Sequence, residues 1–303
     1  MTPTLEKPAG FDAYWRDVID ELASYPSRPE VEPISIRSTD FAEMYGVRLT
    51  SVGPYRIFAY LSIPVGDGPF PAIYYPARYG SVVEPVPQGA ANLNRSRFIT
   101  CSVSARGQRN SNQPYAADFP GLLTEDIADK SRYVFRGVAA DCLRALEFLL
   151  GRPDLDRSRV IAVGNDMALI TASLGQGITH VVTTPALFFD TAALAPNTSS
   201  YPLQEVNDYL RLNPESAPAV SETLSHFNLR WFAPEVESRV LLSTESEGGL
   251  LDRSALRLLI DALPGEVTVH ESLNSSYKDG LFTEEWIAAQ CGFERAIVPE
   301  HWQ

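Results

Sequence analysis

Cysteine, histidine and positive charge are all scarce in this chain. Three cysteines in 303 residues, Cys101, Cys142 and Cys291, are too few and too scattered for a disulfide framework or a thiolate metal site. Buried free thiols are expected instead. The four histidines form no His-x-His or Glu-x-x-His pair, and acidic neighbours such as Glu245 and Glu247 lack the spacing of a dedicated cation site. No metal and no other cofactor is therefore expected. Lys and Arg number 25 against 38 Asp and Glu, a formal net charge of −13. Nucleic acid and anionic membrane surfaces both need a basic face, so neither is expected as a partner. There is no apolar run of about 18 residues that would suggest a membrane span. The opening MTPTLEKPAG has no apolar h-region, so a cytoplasmic location is expected.

What is present is ordinary globular composition, 45% apolar and 21% charged. The pattern is read as a single domain over 1–303. Residues 1–30 form a helical extension, in which apolar side chains at 11, 14, 15, 18, 19 and 22 share one helix face. Strands are expected at 34–37, 47–52, 56–63, 72–75, 98–103, 160–163, 181–184, 240–244 and 267–271. Helices are expected at 133–152, from 167 onward, 253–263 and 281–290. Strands alternating with helices imply an α/β fold, a mostly parallel sheet covered on both faces. Residues 186–236 break the alternation and are read as a helical insertion over the active-site edge.

The chain is organised around VIAVGNDMALITASL, residues 160–174. A β-branched strand breaks at Gly164 and a helix-prone segment follows from Met167. Strand, sharp turn and helix are the setting of the nucleophile elbow, G-x-S-x-G, of α/β-hydrolases. Gly164 and Ala168 supply the small residues, but the central position is Asp166. A carboxylate there could attack carbon directly or act as a base. It could equally cap the following helix.

Several further segments extend this match in the right order. They are FDAYW at 11–15, Tyr79, RGQ at 106–108, YVFRGVAADCLRALEFL at 133–149, RPDLDRSRVIAVGND at 152–166 and GLLD at 249–252. Together they make the chain resemble the acetylxylan esterase and cephalosporin C deacetylase family of α/β-hydrolases. The resemblance implies the α/β-hydrolase fold, a small-molecule ester substrate and a homo-oligomer. It places Asp252 at the triad acid. It implies an oxyanion hole from the amides of Met167 and Tyr79, and a bracing role for Arg106 and Gln108. Two triad positions depart from the family. The serine is Asp166, and 273–280, LNSSYKDG, holds no histidine.

The remaining base candidates are His270, four residues before that loop, and Lys278 with Ser275 and Ser276. A core-facing His270 could not reach the elbow, and Lys278 is also readable as a solvated loop residue. His180, His226 and His301 are read as structural or surface residues. Three functions stay open: hydrolysis of an ester or related bond with Asp166 and Asp252, a catalytically inactive binding protein, or a lyase or cyclase on the same fold.

Overall fold

A computed structural model describes residues 6–84 and 90–298, so His301 and part of the loop after residue 75 lie outside it. Among the described residues, nine strands form one sheet: β1 Glu30–Pro33, β2 Ala42–Thr50, β3 Arg56–Pro64, β4 Phe70–Tyr75, β5 Ile99–Ser104, β6 Leu155–Gly164, β7 His180–Thr183, β8 Arg239–Thr244 and β9 Val267–Glu271. Their order is β1-β2-β3-β5-β4-β6-β7-β8-β9. β1, β2 and β3 pair antiparallel, as do β3 and β5. From β5 to β9 every pairing is parallel. The helices are α1 Phe11–Ser24, α2 Val134–Leu150, α3 Asp166–Leu174, α4 Thr191–Leu194, α5 Gln204–Leu212, α6 Ala217–Ser225, α7 Leu229–Phe232, α8 Arg257–Ala262 and α9 Ser276–Gln290. Among the described residues, no helix is long and apolar enough to cross a membrane.

The parallel strands are apolar on both faces because both are covered. On one face α2 and α3 join a core containing Tyr74, Val160, Ala162, Val181 and Leu242. On the other face Ile73, Ile161, Val182 and Leu241 pack with Ile287 of α9 and with Cys291. Strand alternation assigns each residue of β9 to a face. Thr268 meets Trp286 of α9 at 3.2 Å, and His270, two residues on, lies on that same α9 face. The thiols of Cys101, Cys142 and Cys291 are free and buried. Burial pushes their pKa values up to about 12, 12 and 11.

Four expected boundaries need correction. Residues 34–37 are not a strand: Ser35–Arg37 is a 3₁₀ turn, and Ser38 Oγ takes the Met44 amide at 3.0 Å. The strand before it is β1. β6 starts at Leu155, ahead of the strand expected at 160–163. α8 begins only at Arg257, because Asp252 Oδ1 holds the Ala255 amide at 2.9 Å and the Ser254 hydroxyl at 2.8 Å in a preceding turn. α9 begins at Ser276, with Ser275 Oγ accepting from the Lys278 amide at 3.3 Å. The loop expected to carry a catalytic base is thus largely a capped helix start.

Candidate active site

The C-terminal ends of parallel strands are where open α/β sheets hold ligands. β4, β6, β7, β8 and β9 all end on that edge. At the end of β6 the turn into α3 is relaxed. Among the described non-glycine residues, positive φ is confined to Arg28, Arg109, Asp126, Asp190 and Asn274. Asp166 therefore lacks the strained backbone that lifts an elbow nucleophile out of the sheet. Crowding is also mild, since a Cβ on Gly164 would meet Pro76 and Ala168 only at 3.6 and 3.7 Å.

Asp166 is 1% exposed, and its carboxylate turns inward. The amides of Ala186, Leu187 and Phe188 donate to it, at 3.1, 3.0 and 2.8 Å for the shortest contact of each. The N-cap of α3 is Asn165, whose side chain donates to Thr184 O at 3.0 Å. Asp166 thus ties the backbone at 186–188 to the start of α3. Burial pushes its pKa up against the opposing pull of the amides at Phe188, Leu187, Asp166 itself and Ala186. In this placement the carboxylate has no open face toward an incoming carbon.

The other expected positions are engaged in the same local manner. Met167 is buried in the core. The Tyr79 hydroxyl donates to Glu205 of α5, and Glu205 Oε2 also accepts the Leu123 amide at 2.8 Å. Burial raises the Glu205 pKa, opposed by the amides of Gly121 and Leu123. This buried carboxylate fastens α5 to Tyr79 and to the backbone at Leu123. Asp252 accepts from the Gly248 amide at 3.0 Å and from its own turn. Those bonds, the Ala255 amide foremost, lower its pKa.

Gln108 Oε1 accepts the Gly80 amide at 2.8 Å. Arg106 grips Asp141 of α2 with Nε at 3.0 Å and a terminal nitrogen at 2.7 Å. Gly137 is required beside it, because a Cβ there would stand 2.5 Å from Arg106 Nε. The guanidinium is also tied to Val52 O at 3.1 Å and cannot retreat freely. Gly137→Ala is expected to cost about 1–3 kcal/mol by overpacking, read as a lower urea midpoint.

His270 is part-buried, and its ring lies stacked 4.2 Å from Phe282. His270 Nε2 lies 2.8 Å from Asp279 Oδ1. Asp279 also takes the Leu273 amide at 2.9 Å, the Ser272 hydroxyl at 2.8 Å and the Ser275 amide at 3.3 Å. Burial pushes the Asp279 pKa up, but the Leu273, His270, Ser272 and Ser275 donors outweigh it and bring it down to about 2. An ionised carboxylate only accepts, so Nε2 donates to it, and in the neutral ring Nδ1 then carries the lone pair. His270 and Asp279 line a cleft of about 630 Å³ with Arg78, Thr184, Ser243, Glu245 and Ser276 among its walls. Lys278 lies on the exposed side of α9's first turn.

The structure therefore separates Asp166 and Asp252 into different local networks and assembles His270 with Asp279 and Ser276. Asp279 and Arg78 carry no motif and are not singled out by the sequence. The signal for Asp279 is its place four residues after the capping Ser275, an acid in a first helical turn.

Comparison with known proteins adds a family context. A family model described as acetyl xylan esterase matches residues 2–254. The match ends just past Asp252, so β9 and α9 lie beyond it. Acetyl esterase Axe7A of Xylanibacter ruminicola is 23% identical over 256 residues, covering 80% of this chain and 57% of that protein. The chain thus spans little more than half of that curated relative. Among solved structures, acetyl xylan esterase 1 from Thermoanaerobacterium sp. superposes with a TM-score of 0.79 at 20% identity, over 95% of both chains. The acetyl xylan esterase from Paenibacillus sp. R4 gives 0.78 at 21% identity, over 95% of this chain and 96% of that one.

Proposed function

The chain belongs to the acetyl xylan esterase family, and from that premise we propose that it hydrolyses esters of small organic molecules with His270, rather than Asp166, as the activating group. The observation that carries this reading is the His270–Asp279 pair, 2.8 Å apart, in a cleft at the ends of the parallel strands. In this scheme a water in the cleft gives a proton to His270 Nδ1 as its oxygen attacks the ester carbonyl carbon. The tetrahedral intermediate collapses by breaking the bond to the alcohol oxygen. The departing alkoxide takes the proton back from Nδ1, leaving acid and alcohol. Asp279 holds the ring and stabilises the transient imidazolium. The amides of Met167 and Tyr79 are the proposed donors to the oxyanion. Asp166 and Asp252 serve as anchors of their loops. A homo-oligomer and a cytoplasmic setting belong to the same proposal.

A specific observation favours a second reading. The full engagement of Asp166 by three amides is what a binding protein that has lost elbow chemistry would also have. One experiment separates the two. Hydrolysis of p-nitrophenyl acetate is followed in ¹⁸O water, with intact-protein mass sampled through the first turnovers. Turnover with label in the acetate and no acyl adduct on the protein is the expected result. An adduct mapped to Asp166 would return the chemistry to the elbow. No turnover across a panel of short acyl esters would leave the binding reading.

A further inference from the structure

We propose that Arg78 anchors a carboxylate carried by the substrate, so that the cleft selects acidic esters over neutral ones. The inference rests on the reading of this cleft as an ester-hydrolysing site and adds the class of substrate.

Arg78 follows the central strand β4, and its backbone is fixed. It forms a β-bridge with Ser81, and the next loop residue but one, Gly80, is held by Gln108 at 2.8 Å and by Arg109 Nε at 3.3 Å. Its side chain lines the His270 cleft. Arg78 Nε is buried and has no hydrogen-bond partner among the described residues. Arg144 Nε shares that state, but its terminal nitrogens reach Leu22 O, Tyr25 O and Glu147, whereas Arg78 makes no side-chain hydrogen bond or ion pair among the described residues. An unsatisfied buried donor carries its full desolvation penalty, which an incoming acceptor removes.

The acids that share the cleft already have partners. Asp279 is held by His270, Leu273, Ser272 and Ser275. Glu245 Oε2 accepts the Leu251 amide at 3.2 Å, and Glu284 Oε2 accepts Asn94 Nδ2 at 3.0 Å. No ion pair joins any of them to Arg78 among the described residues. The guanidinium fork is the side chain best matched to two carboxylate oxygens. A cleft of about 630 Å³ has room for such a group together with a short acyl ester.

The test compares p-nitrophenyl butyrate with mono-p-nitrophenyl glutarate, a neutral ester and one with a free carboxylate, in wild type, Arg78→Lys and Arg78→Met. Calorimetry of glutarate binding to the same three proteins runs beside it. For Arg78→Met the expected result is a rise in KM of about tenfold or more for the glutarate ester, with the butyrate constants within about twofold. Arg78→Lys, a point charge without the fork, falls between. Glutarate is expected to bind wild type and to lose about tenfold or more in Arg78→Met. Equal losses on both esters, or glutarate affinity unchanged by the substitution or absent in wild type, would overturn the proposal. If Arg78→Met does not fold, the same comparison is decided by Arg78→Lys. Glutarate binding through Arg78 without hydrolysis of any ester would uphold this anchor and remove the esterase reading instead.

Discussion

Asp166→Ala is expected to cost the fold about 3–5 kcal/mol, because it strips the acceptor from three amides at once, those of Leu187 and Phe188 buried and that of Ala186 part-buried. For a chain of this size that is a fall in Tm of roughly 6–20 °C. Asp166→Asn keeps one oxygen and turns an N–H₂ toward the remaining amide, so a smaller loss of about 1–3 kcal/mol is expected. The ordering, alanine worse than asparagine, distinguishes a clamp from a nucleophile. A nucleophile's replacement by asparagine would abolish turnover and leave stability near wild type.

The pH dependence has a sign of its own. Burial raises the pKa of this carboxyl above its ordinary value, so the folded chain binds the proton more tightly than the unfolded chain. The stability tied to that shift is present below the ordinary carboxylate range and is lost as pH rises through the raised value. Asparagine, which does not titrate there, removes that component. Urea midpoints of the three proteins at several pH values check both the ordering and the slope. Equal midpoints throughout would end the clamp assignment.

The position of Asp166 was legible from sequence, but its environment was not. The strand, the small residues and the helix after it are all in the run from 160 to 174, and local pattern suffices to place them. The amides that claim its carboxylate come from 186–188, about twenty residues on, beyond the end of β7. Nothing in local periodicity says where that backbone will pass. Asp252 shows the same limit: its spacing matches an acid position, while its actual partners are its own turn. His270 is only partly legible, for a different reason. Its place in a strand implied a buried ring, and period-2 alternation does put it on the α9 face. What alternation cannot show is that α9 starts as early as Ser276 and brings Asp279 to the strand's end.

Substituting His270 tests that juxtaposition most directly. His270→Gln is expected to lower kcat/KM for p-nitrophenyl acetate by about 10²–10⁴-fold, the range of a positioned general base. The fold should tolerate the change, because the ring is only part-buried and glutamine can still donate to Asp279. Asp279→Asn should lower the rate by roughly tenfold or more, since an amide no longer dictates which ring nitrogen carries the proton. Asp279, with its pKa brought down to about 2, stays ionised over any practical assay range. Its contribution to stability runs with that shift: it is complete above the ordinary carboxylate value near ~4 and is lost as pH falls toward 2. A kcat/KM unchanged in His270→Gln would place the base elsewhere. If the rate survives in that variant but falls in Asp166→Asn without loss of stability, the elbow carboxylate is the catalyst, and the inward clamp must open during turnover.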